Sequence, residues 1–485
     1  MTSIQVDLVS VPANFGHGAN DGAYYPCGIL SIGTFLKKLF PESNIRIIDL
    51  HHDQDYVPSA EIVGIAASST LNYSNVLEIA QKAKNNNSIV VLGGPHATHL
   101  ANQILLKRNG LIDYVIRGKG EIPFGELIKA IQRNSGFEEI PNLSWISDNG
   151  TPIHNPVSLH QWEYDAFVPF DFSLLNTDIS DYTHIFNKNI NSDIDTAFVV
   201  FTHFGCKYQN IMKRRHGNNS CISGWCSFCS LNDNSYSRSG TDIVNDIKYL
   251  ISYHNIPFGS RILLKCYGDN VGYHKQMLDD LYSALHCNEL LSNYRIEWTF
   301  YVQSSHMTED LAIKLQKVGG KNIFIGFDSA DDKIQKYNGL GSTLKSHKKA
   351  ANICKDFDFK LQAAFMLGCA GETLDSLGKN IRFAEELSEM RILERINTAI
   401  VVIMPGAPNY SLLCSKENWI MELDELPTEK LQWYWVKHFC PELGNSPTQG
   451  LDVLRKVANR LDCLSPGPHS SMGYISNRMI KSEES

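Results

Sequence analysis

The sequence predicts an α/β protein with a doubly wound parallel sheet in its first part, a partial barrel of six β/α units in its second part, and a helical segment at its C-terminal end. Two observations support this fold class. Short runs of Val, Ile, Leu and Phe alternate with longer segments whose apolar residues recur at helical spacing, which is the pattern of βα repeats. Many of the short runs end in Gly, Asp or Asn, as strands do where a parallel sheet binds its ligands.

The alternation divides the chain into four regions. The first α/β domain covers 1–140, a connecting region 141–195, the partial barrel 196–408 and the helical segment 409–485. The strands predicted are 4–11, 45–50, 62–67, 88–92 and 113–117 in the first sheet, and 196–202, 261–266, 296–302, 322–327, 361–367 and 398–403 in the barrel. Because ligands bind beyond the carboxyl ends of parallel strands, residues directly after these strands are the functional candidates.

Composition argues against several classes of protein. The net charge of −8 and the pI of about 6.1 do not fit a general binder of nucleic acid or of anionic membranes. No uncharged apolar run reaches membrane-spanning length, and the first residues show no secretory signal. The 12 cysteines are too few for a disulfide scaffold. We therefore expect a cytoplasmic protein with reduced thiols and with neither nucleic-acid nor membrane partners.

A cluster of cysteines is the most specific chemical feature of the chain. Cys221, Cys226 and Cys229 lie within nine residues, and Cys206 stands shortly upstream. A Cys-x-x-Cys pair with one further cysteine suits an iron–sulfur cluster in which one iron is left open. A zinc site built from all four thiolates is the alternative, and simple packing is a third reading. Local spacing alone leaves these readings open.

Several motifs, in order along residues 4–410, resemble those of two domains that often occur together. They are Val91-Leu-Gly-Gly-Pro-His-Ala-Thr98, Val115-Ile-Arg-Gly-Lys-Gly-Glu121, Phe204-Gly-Cys206, Cys226-Ser-Phe-Cys229, Gly326-Phe-Asp-Ser329, Phe365-Met-Leu-Gly-Cys-Ala-Gly-Glu372 and Met404-Pro-Gly406. On these residues the second half is identified as a member of the radical S-adenosylmethionine (SAM) superfamily. The first half resembles the cobalamin-binding domain that often precedes it.

The resemblance implies a [4Fe–4S] cluster on Cys206, Cys226 and Cys229, with Cys221 as the alternative to Cys206. The usual superfamily spacing is Cys-x3-Cys-x2-Cys, whereas 19 residues separate Cys206 from Cys226 here. A subgroup that matures ribosomally made peptides also stretches this gap and ends in a similar Cys-x-Phe-Cys-x-Leu-Asn. Either set of cysteines leaves one iron open for SAM.

The resemblance also implies cobalamin, held without a histidine ligand. The only near match to the histidine motif, Asp49-Leu-His51, follows the wrong strand and lacks the glycine, so we interpret it as a coincidence. The implied cofactor contacts are Ser69, Thr70, Gly93, Gly94, Thr98, Gly118 and Glu121. The alternative is a retained domain that only packs or holds substrate.

For SAM, the resemblance places contacts at the ends of the barrel strands. Asp269 and Asn270 would meet the amino group, and Asp328 with Ser329 would meet the ribose. The remaining implied contacts are Gly368, Gly371, Glu372 and Met404. Two alternatives stay open: Asn270 in an Asx turn, and Glu372 as a carboxylate that only satisfies helix amides.

The function implied is cleavage of SAM and functionalisation of an unactivated carbon, with cobalamin-dependent methyl transfer as the expected outcome and a small molecule or peptide as substrate. A one-electron reductant such as flavodoxin or ferredoxin is the implied partner. Radical cyclisation, rearrangement or epimerisation without cobalamin is the alternative within the class. A zinc-stabilised binding module is the alternative from another class.

Overall fold

The computed structural model describes residues 3–13, 23–157, 169–190, 193–208, 222, 225–230 and 235–466. In these residues the N-terminal sheet has seven strands in the order β2-β1-β3-β4-β5-β6-β7. The strands are β1 Gln5–Ser10, β2 Asn44–Asp49, β3 Ile62–Ala66, β4 Ile89–Gly93, β5 Tyr114–Ile116, β6 Leu143–Ile146 and β7 Pro152–His154. The first five are parallel, while β6 and β7 of the predicted connecting region add an antiparallel edge.

Helices cover both faces of this sheet, which confirms the doubly wound fold. They are α1 Cys27–Leu39, α2 Tyr73–Asn85, α3 Pro95–Lys107 and α4 Glu121–Arg133, and a fifth helix, α5 Ile179–Ile190, follows in the predicted connecting region. Successive residues of a strand point to opposite faces, so one strand serves both layers. Leu8 packs in the cluster that contains α1 and α4, whereas its neighbour Val9 packs with α2 and α3.

The second sheet is entirely parallel and has the order β15-β14-β13-β12-β11-β8 in the described residues, which confirms the partial barrel. Its strands are β8 Thr196–Phe201, β11 Arg261–Tyr267, β12 Arg295–Gln303, β13 Gly320–Asp328, β14 Lys360–Leu367 and β15 Leu393–Ile400, and a separate hairpin joins β9 His203–Phe204 to β10 Tyr236–Ser237. The helices of this part are α6 Gly240–Tyr253, α7 Lys275–Cys287, α8 Leu290–Asn293, α9 Glu309–Lys317, α10 Asp332–Tyr337, α11 Leu344–Asp356 and α12 Leu374–Glu389.

Strand β15 begins earlier than the sequence pattern predicts. The predicted strand was 398–403, but the observed strand starts at Leu393 and includes Glu394 and Arg395. These two consecutive charged residues interrupt the apolar run by which a strand is recognised in the sequence. Both side chains meet Gln362 on the neighbouring strand β14: Glu394 accepts from Gln362 Nε2 at 2.6 Å, and Arg395 Nη2 donates to Gln362 Oε1 at 3.5 Å.

The segment after residue 408 is helical, as predicted. It contains α13 Pro408–Cys414, α14 Thr428–Phe439 and α15 Pro447–Asp462. Trp435 on α14 is fully buried and donates to the carbonyl of Gly368 at 2.8 Å, just past the end of β14. None of the helices that the structure describes is both long and apolar enough to cross a membrane.

Asp424, between α13 and α14, ties the C-terminal segment to the N-terminal domain. Its carboxylate accepts hydrogen bonds from Tyr73 Oη at 2.9 Å and from Arg108 Nε at 2.6 Å. Its carbonyl lies 3.0 Å from Nε2 of His96, whose ring stacks on Tyr73. Burial lowers the pKa of His96 to about 4, so the ring is neutral at pH 7. His96, which follows the Gly-Gly-Pro turn, therefore has a structural role between the domains.

We expect Asp424→Ala to destabilise the protein by about 2 kcal/mol, because two donors of the N-terminal domain lose a buried ionic acceptor. The thermal unfolding midpoint should fall, and limited proteolysis should release the N-terminal domain sooner. Asp452→Ala is the matched control, since Asp452 is half exposed and, within the described residues, pairs only with Arg455 on its own helix. Equal midpoints for the two variants would contradict this account of the interface.

Candidate cofactor site

A cavity of about 1320 Å³ lies where the carboxyl ends of the two sheets meet. The N-terminal domain contributes Gly94, Pro95, Thr98, His99, Gly118 and Lys119 to its wall. The barrel side contributes the three described cysteines of the predicted cluster site and the ends of β11, β12 and β13. One space is therefore bounded by the turns that the sequence predicts to bind ligands in both domains.

Cys206, Cys226 and Cys229 all line this cavity and are partly buried. Burial raises the pKa of the Cys226 thiol, and the nearby Cys229, Asp328 and Cys206 raise it further. Thiols crowded in this way are stabilised as thiolates by a bound metal cluster, so this donor set fits iron–sulfur ligation. Cys221, the alternative ligand, lies outside the described residues. Among the residues that are described, no three His, Cys, Asp or Glu side chains are arranged to hold a single metal ion.

Two asparagines from distant parts of the chain hold the Cys-x-x-Cys turn in place. The backbone amide of Ser227 donates to the carbonyl of Asn338 at 3.0 Å, and its hydroxyl donates to Asn338 Oδ1 at 2.9 Å. The amide of Asn409 donates to the carbonyl of Ser227 at 2.7 Å. Sequence reasoning missed both asparagines, because no local pattern links them to the cysteines.

Asp269 and Asn270 both line the cavity. They differ in the interactions that their side chains make with the rest of the protein. Burial raises the pKa of Asp269, while the backbone amide of Gly205 and the charge of Lys119 lower it. Asn270 caps the turn after it by accepting from the amide of Gly272 at 3.1 Å. It also bonds to Gln303 and His306, so the Asx-turn alternative describes its side chain.

Asp328 is the last residue of β13 and Ser329 follows it, but the two side chains have different surroundings. Asp328 has a φ of +59°, lines the cavity, and has its pKa raised to about 7 by burial. Ser329 is fully buried outside the cavity wall and accepts a hydrogen bond from the amide of Asp331 at 3.2 Å. The structure thus brings Asp328 to the cavity and gives Ser329 a packing role.

The other four predicted SAM contacts lie outside the cavity wall, where α14 and α15 cover the strand ends. Gly371 donates to the carbonyl of Phe439 at 2.7 Å, and a Cβ at Gly368 would lie 3.0 Å from Leu454. Glu372 is fully buried, accepts from the amide of Gly368 at 3.3 Å, and has its pKa raised to about 7 by burial. The carbonyl of Met404 accepts from the amide of Ala407 at 3.0 Å. The observed contacts of Gly368, Gly371, Glu372 and Met404 are those of packing, and their contact with SAM stays a prediction.

A second cavity of about 460 Å³ penetrates the N-terminal domain beside β1, β3 and β4. Its lining is mostly apolar and includes Leu8, Ile65, Val91, Ile116 and Phe124. The two cavities adjoin, because their linings share Gly94, Pro95, Gly118, Lys119, Lys265 and Tyr267. A ligand too large for one cavity can extend into the other.

Two glycines shape the boundary between the cavities. Gly94 has φ +96°, and a Cβ there would lie 2.6 Å from the carbonyl oxygen of Ala67. Gly118 has φ +74°, and a Cβ there would meet no heavy atom within 4 Å, so it would project into open space. The hydroxyl of Thr98 joins the two turns by donating to the carbonyl of Gly94 and accepting from the amide of Gly118, each at 2.8 Å.

Glu121 is the buried polar group of the smaller cavity. Its side chain is only 7% exposed, and Oε1 accepts from Ser31 Oγ at 2.8 Å. In the described part of the chain Oε2 has no hydrogen-bond partner. A buried carboxylate oxygen without a partner favours a ligand that carries a donor group. The smaller cavity therefore fits a ligand with an apolar body and a hydrogen-bond donor, as the nucleotide tail of cobalamin has.

Two further predicted contacts, Ser69 and Thr70, lie outside the lining of both cavities. The Ser69 hydroxyl accepts from the amide of Leu71 and caps the short turn 70–72, while Thr70 lies 3.4 Å from the His96 ring. Ser68, one residue earlier, lines the smaller cavity instead. His51 lines neither cavity and pairs with Asp49 at 2.9 Å, in keeping with its interpretation as a coincidental match.

Comparison with known families assigns both domains. Residues 21–128 match the family described as the B12 binding domain, and residues 218–384 match the radical SAM superfamily. An uncharacterized methyltransferase of Pyrococcus horikoshii is 24% identical over 380 residues, covering 75% of this chain and 73% of the relative. An anaerobic magnesium-protoporphyrin IX monomethyl ester cyclase of Rubrivivax gelatinosus is 22% identical over 377 residues, covering 75% of this chain and 61% of the relative.

Solved structures show the same fold. The radical SAM methyltransferase TsrM of Kitasatospora setae, with cobalamin and a [4Fe–4S] cluster bound, superposes with a TM-score of 0.63 at 15% identity, covering 86% of this chain and 75% of TsrM. The cobalamin-dependent SAM radical enzyme OxsB superposes with a TM-score of 0.60 at 16% identity, covering 87% of this chain and 62% of OxsB. At these identities the likeness establishes the two-domain fold.

We expect Cys206→Ser, Cys226→Ser and Cys229→Ser each to lose the iron that the wild-type protein binds on anaerobic reconstitution, because the three thiolates are the predicted ligands. Iron content and the absorption spectrum measure this. Cys287→Ser is the control, since Cys287 is exposed on α7. If Cys206→Ser keeps full iron while Cys221→Ser loses it, Cys221 is the first ligand.

We expect Gly118→Asn to lower the cobalamin retained after purification by about tenfold or more, because the new side chain would enter the open space at the boundary of the two cavities. Asn tolerates the positive φ of this position. Gly110→Asn is the matched control, since Gly110 has φ +81°, equally open surroundings, and no place in either cavity wall. Equal loss of the corrin absorption bands in both variants would point to backbone strain instead.

Proposed function

The chain belongs to the radical SAM superfamily and carries a B12-binding domain ahead of its radical SAM domain, and from that premise we propose that it transfers a methyl group to an unactivated carbon of a small-molecule or peptide substrate. The observation that carries the proposal is the cavity lined by both domains. A space bounded on one side by the B12-binding turns and on the other by the cysteine turn would hold both cofactors over one substrate.

Each domain would hold one cofactor with the residues already described. When bound, the cluster would supply the electron that cleaves SAM, and cobalamin would supply the methyl group. Cys206, Cys226 and Cys229 would ligate the cluster. The turns of Gly94 and Gly118, with Ser68 and Glu121, would hold cobalamin along the two adjoining cavities.

Two lysines stand at the junction of the cavities and would meet an anionic group there. Lys119 Nζ lies 4.7 Å from the ring centroid of Phe204, and Lys265 Nζ lies 4.0 Å from that of Tyr24. Both lysines line both cavities. A cation–π contact stabilises a lysine side chain and leaves its positive charge unchanged. The phosphodiester in the tail of cobalamin is the anion that best suits this position.

For SAM, we propose contacts by Asp269 and Asp328, the two carboxyl groups of the cavity wall. Asp269 would accept from the amino group of SAM, and Asp328 would bond to its ribose hydroxyls. Asn270 would act by holding the turn after β11 in place, since its side chain bonds to three protein groups.

Aromatic side chains of the barrel would limit water around the reacting carbon. Those in the cavity wall are Phe204, Tyr208, Phe228, Tyr236, Tyr267, Tyr301 and Phe324. They come from β9–β13, the segment after Cys206 and the cysteine turn, and not from the C-terminal segment, whose Trp435 packs against Gly368. A cavity wall of this kind would exclude water from the reacting carbon.

The protein also needs a reductant and a substrate as partners, as radical SAM enzymes do. We propose a cytoplasmic location, with no nucleic-acid partner and no membrane partner. The described cysteines are all free thiols, which suits a reducing compartment, and the net charge is −8.

The product ratio tests the reaction. With reductant, SAM and cobalamin, we expect the reconstituted protein to form 5′-deoxyadenosine and S-adenosylhomocysteine together, and the substrate to gain one methyl group in place of one hydrogen. Omitting cobalamin should abolish the S-adenosylhomocysteine and leave 5′-deoxyadenosine. Deoxyadenosine alone, with a product of unchanged mass or lighter by two hydrogens, would favour radical rearrangement or cyclisation without methyl transfer.

A further inference from the structure

The inner side of the barrel carries a buried arginine, Arg395 on β15, that the cofactor sites do not use. Thr398 on the same strand faces outwards, where its hydroxyl donates to Asp462 of α15 at 2.5 Å. Because side chains alternate along a strand, Arg395, three residues earlier, points to the inside of the barrel. The residue is only 4% exposed. Arginine is almost never buried to this degree unless it is paired.

Arg395 lies in one cross-strand layer with residues that line the larger cavity. In the parallel register Tyr301 lies opposite Phe324, Phe324 opposite Gln362, and Gln362 opposite Arg395. Tyr301 and Phe324 belong to the wall of the larger cavity, and their ring centroids are 5.0 Å apart. Arg395 is therefore at the same depth in the barrel as these two rings, although it is not itself part of the cavity wall.

The guanidinium of Arg395 is left almost without partners. An arginine has five N–H donors, and the contact described above, from Nη2 to Gln362 Oε1, is long at 3.5 Å. Within the described residues Nε and Nη1 are buried and have no hydrogen-bond acceptor. Burial lowers the pKa of Arg395, as it does for a cation that lacks a full counter-charge. An unpaired buried charge destabilises a protein, so its presence favours a role in binding.

The carboxylates around Arg395 are engaged elsewhere. The charge of Glu394 raises the pKa of Arg395, but no ion pair joins the two within the part of the chain that the structure describes. Glu394 instead accepts a hydrogen bond from β14 and lies 3.9 Å from Lys360 Nζ. Glu297 on β12 pairs with Arg261 at 2.9 Å. The two carboxyl groups of the cavity wall stand at strand ends and are those proposed to contact SAM.

Two tyrosines connect the surroundings of Arg395 to the cavities. Tyr24 and Tyr301 are both close enough for their charges to affect the pKa of Arg395. Tyr301 lines the larger cavity and Tyr24 the smaller one. For neither hydroxyl do the described residues supply a hydrogen-bond partner. An unpaired guanidinium with two phenol groups beside it is a set of donors that suits a carboxylate.

We propose that Arg395 binds a carboxylate of the substrate, which is then an organic acid whose apolar part lies against the aromatic cavity wall. Tyr24 and Tyr301 would donate to the same carboxylate, and the ring of Tyr301 would shift to admit it. The layer of Tyr301, Phe324, Gln362 and Arg395 has one positive charge, which matches one carboxylate better than a doubly charged phosphate. The inference rests on the proposed function, because it names the class of substrate that would be methylated.

The test measures binding to the reconstituted holoprotein with SAM and cobalamin but without reductant. The probes are two acids, 4-phenylbutyrate and octanoate, each compared with its primary amide by isothermal titration. Arg395→Met removes the charge and keeps a long apolar side chain. Arg261→Met is the matched control, since Arg261 lies on β11 outside both cavity walls and its guanidinium is paired with Glu297. Thermal unfolding midpoints are measured for all three proteins.

We expect the wild type to bind at least one acid about tenfold more tightly than its amide, a preference that Arg395→Met loses and Arg261→Met keeps. Arg395→Met should unfold at the wild-type midpoint or above it, because it removes an unpaired buried charge. Arg261→Met should unfold at a lower midpoint, because Glu297 loses its partner. No preference in the wild type, a preference kept in Arg395→Met, or equal falls in the two midpoints would overturn the carboxylate site.

This result is separable from methyl transfer, because the titrations involve no turnover. A preference for acids that depends on Arg395 would stand even if the product ratio excluded methylation. Conversely, methylation of a neutral substrate at an unchanged rate in Arg395→Met would support the proposed function and overturn the carboxylate site.

Discussion

The carboxylate of Asp424 is the interaction on which the architecture of the site depends. It accepts from Tyr73 and Arg108 of the N-terminal domain, while its own segment leads into α14, which packs against the end of β14. Buried residues of both sheets belong to one hydrophobic cluster, and a fixed angle between the sheets makes their carboxyl ends face each other. The buried ionic contact contributes to that constraint close to the cavity, because the carbonyl of Asp424 lies 3.0 Å from Nε2 of His96, and His96 follows Pro95 of the cavity wall.

The fold was predictable from the sequence because its signals are local and repeated. Alternating strands and helices give a parallel sheet whichever residues face the ligand, and the turns predicted to bind cofactors stand out by their glycines and cysteines. Positions that depend on long-range contact were not predictable. Nothing in the sequence near Asn338 or Asn409 indicates that they bond to Ser227. Likewise, no local pattern shows that Ser68 lines the smaller cavity while its neighbour Ser69 caps a turn.

Asp328 and Glu372 show why a perturbed carboxyl group does not by itself identify a site. Burial raises the pKa of each to about 7. Glu372 accepts from a serine hydroxyl and from backbone amides of its own turn, so its oxygens are committed to the fold. Asp328 lies in the cavity wall, and burial is the cause of its shift. The partners of a buried carboxyl, rather than its pKa, separate a support of the fold from a candidate ligand contact.

The wall shared by the two cavities has a consequence for how such a protein can change its substrate over evolutionary time. Gly118 and Lys265 line both cavities, so a substitution at either position changes the shape of both at once. We expect few substitutions to be tolerated there. Tyr301 and Phe324 line the larger cavity alone. We therefore expect substrate preference to change mainly through residues of the barrel strands β12 and β13, and less through the residues that separate the two cavities.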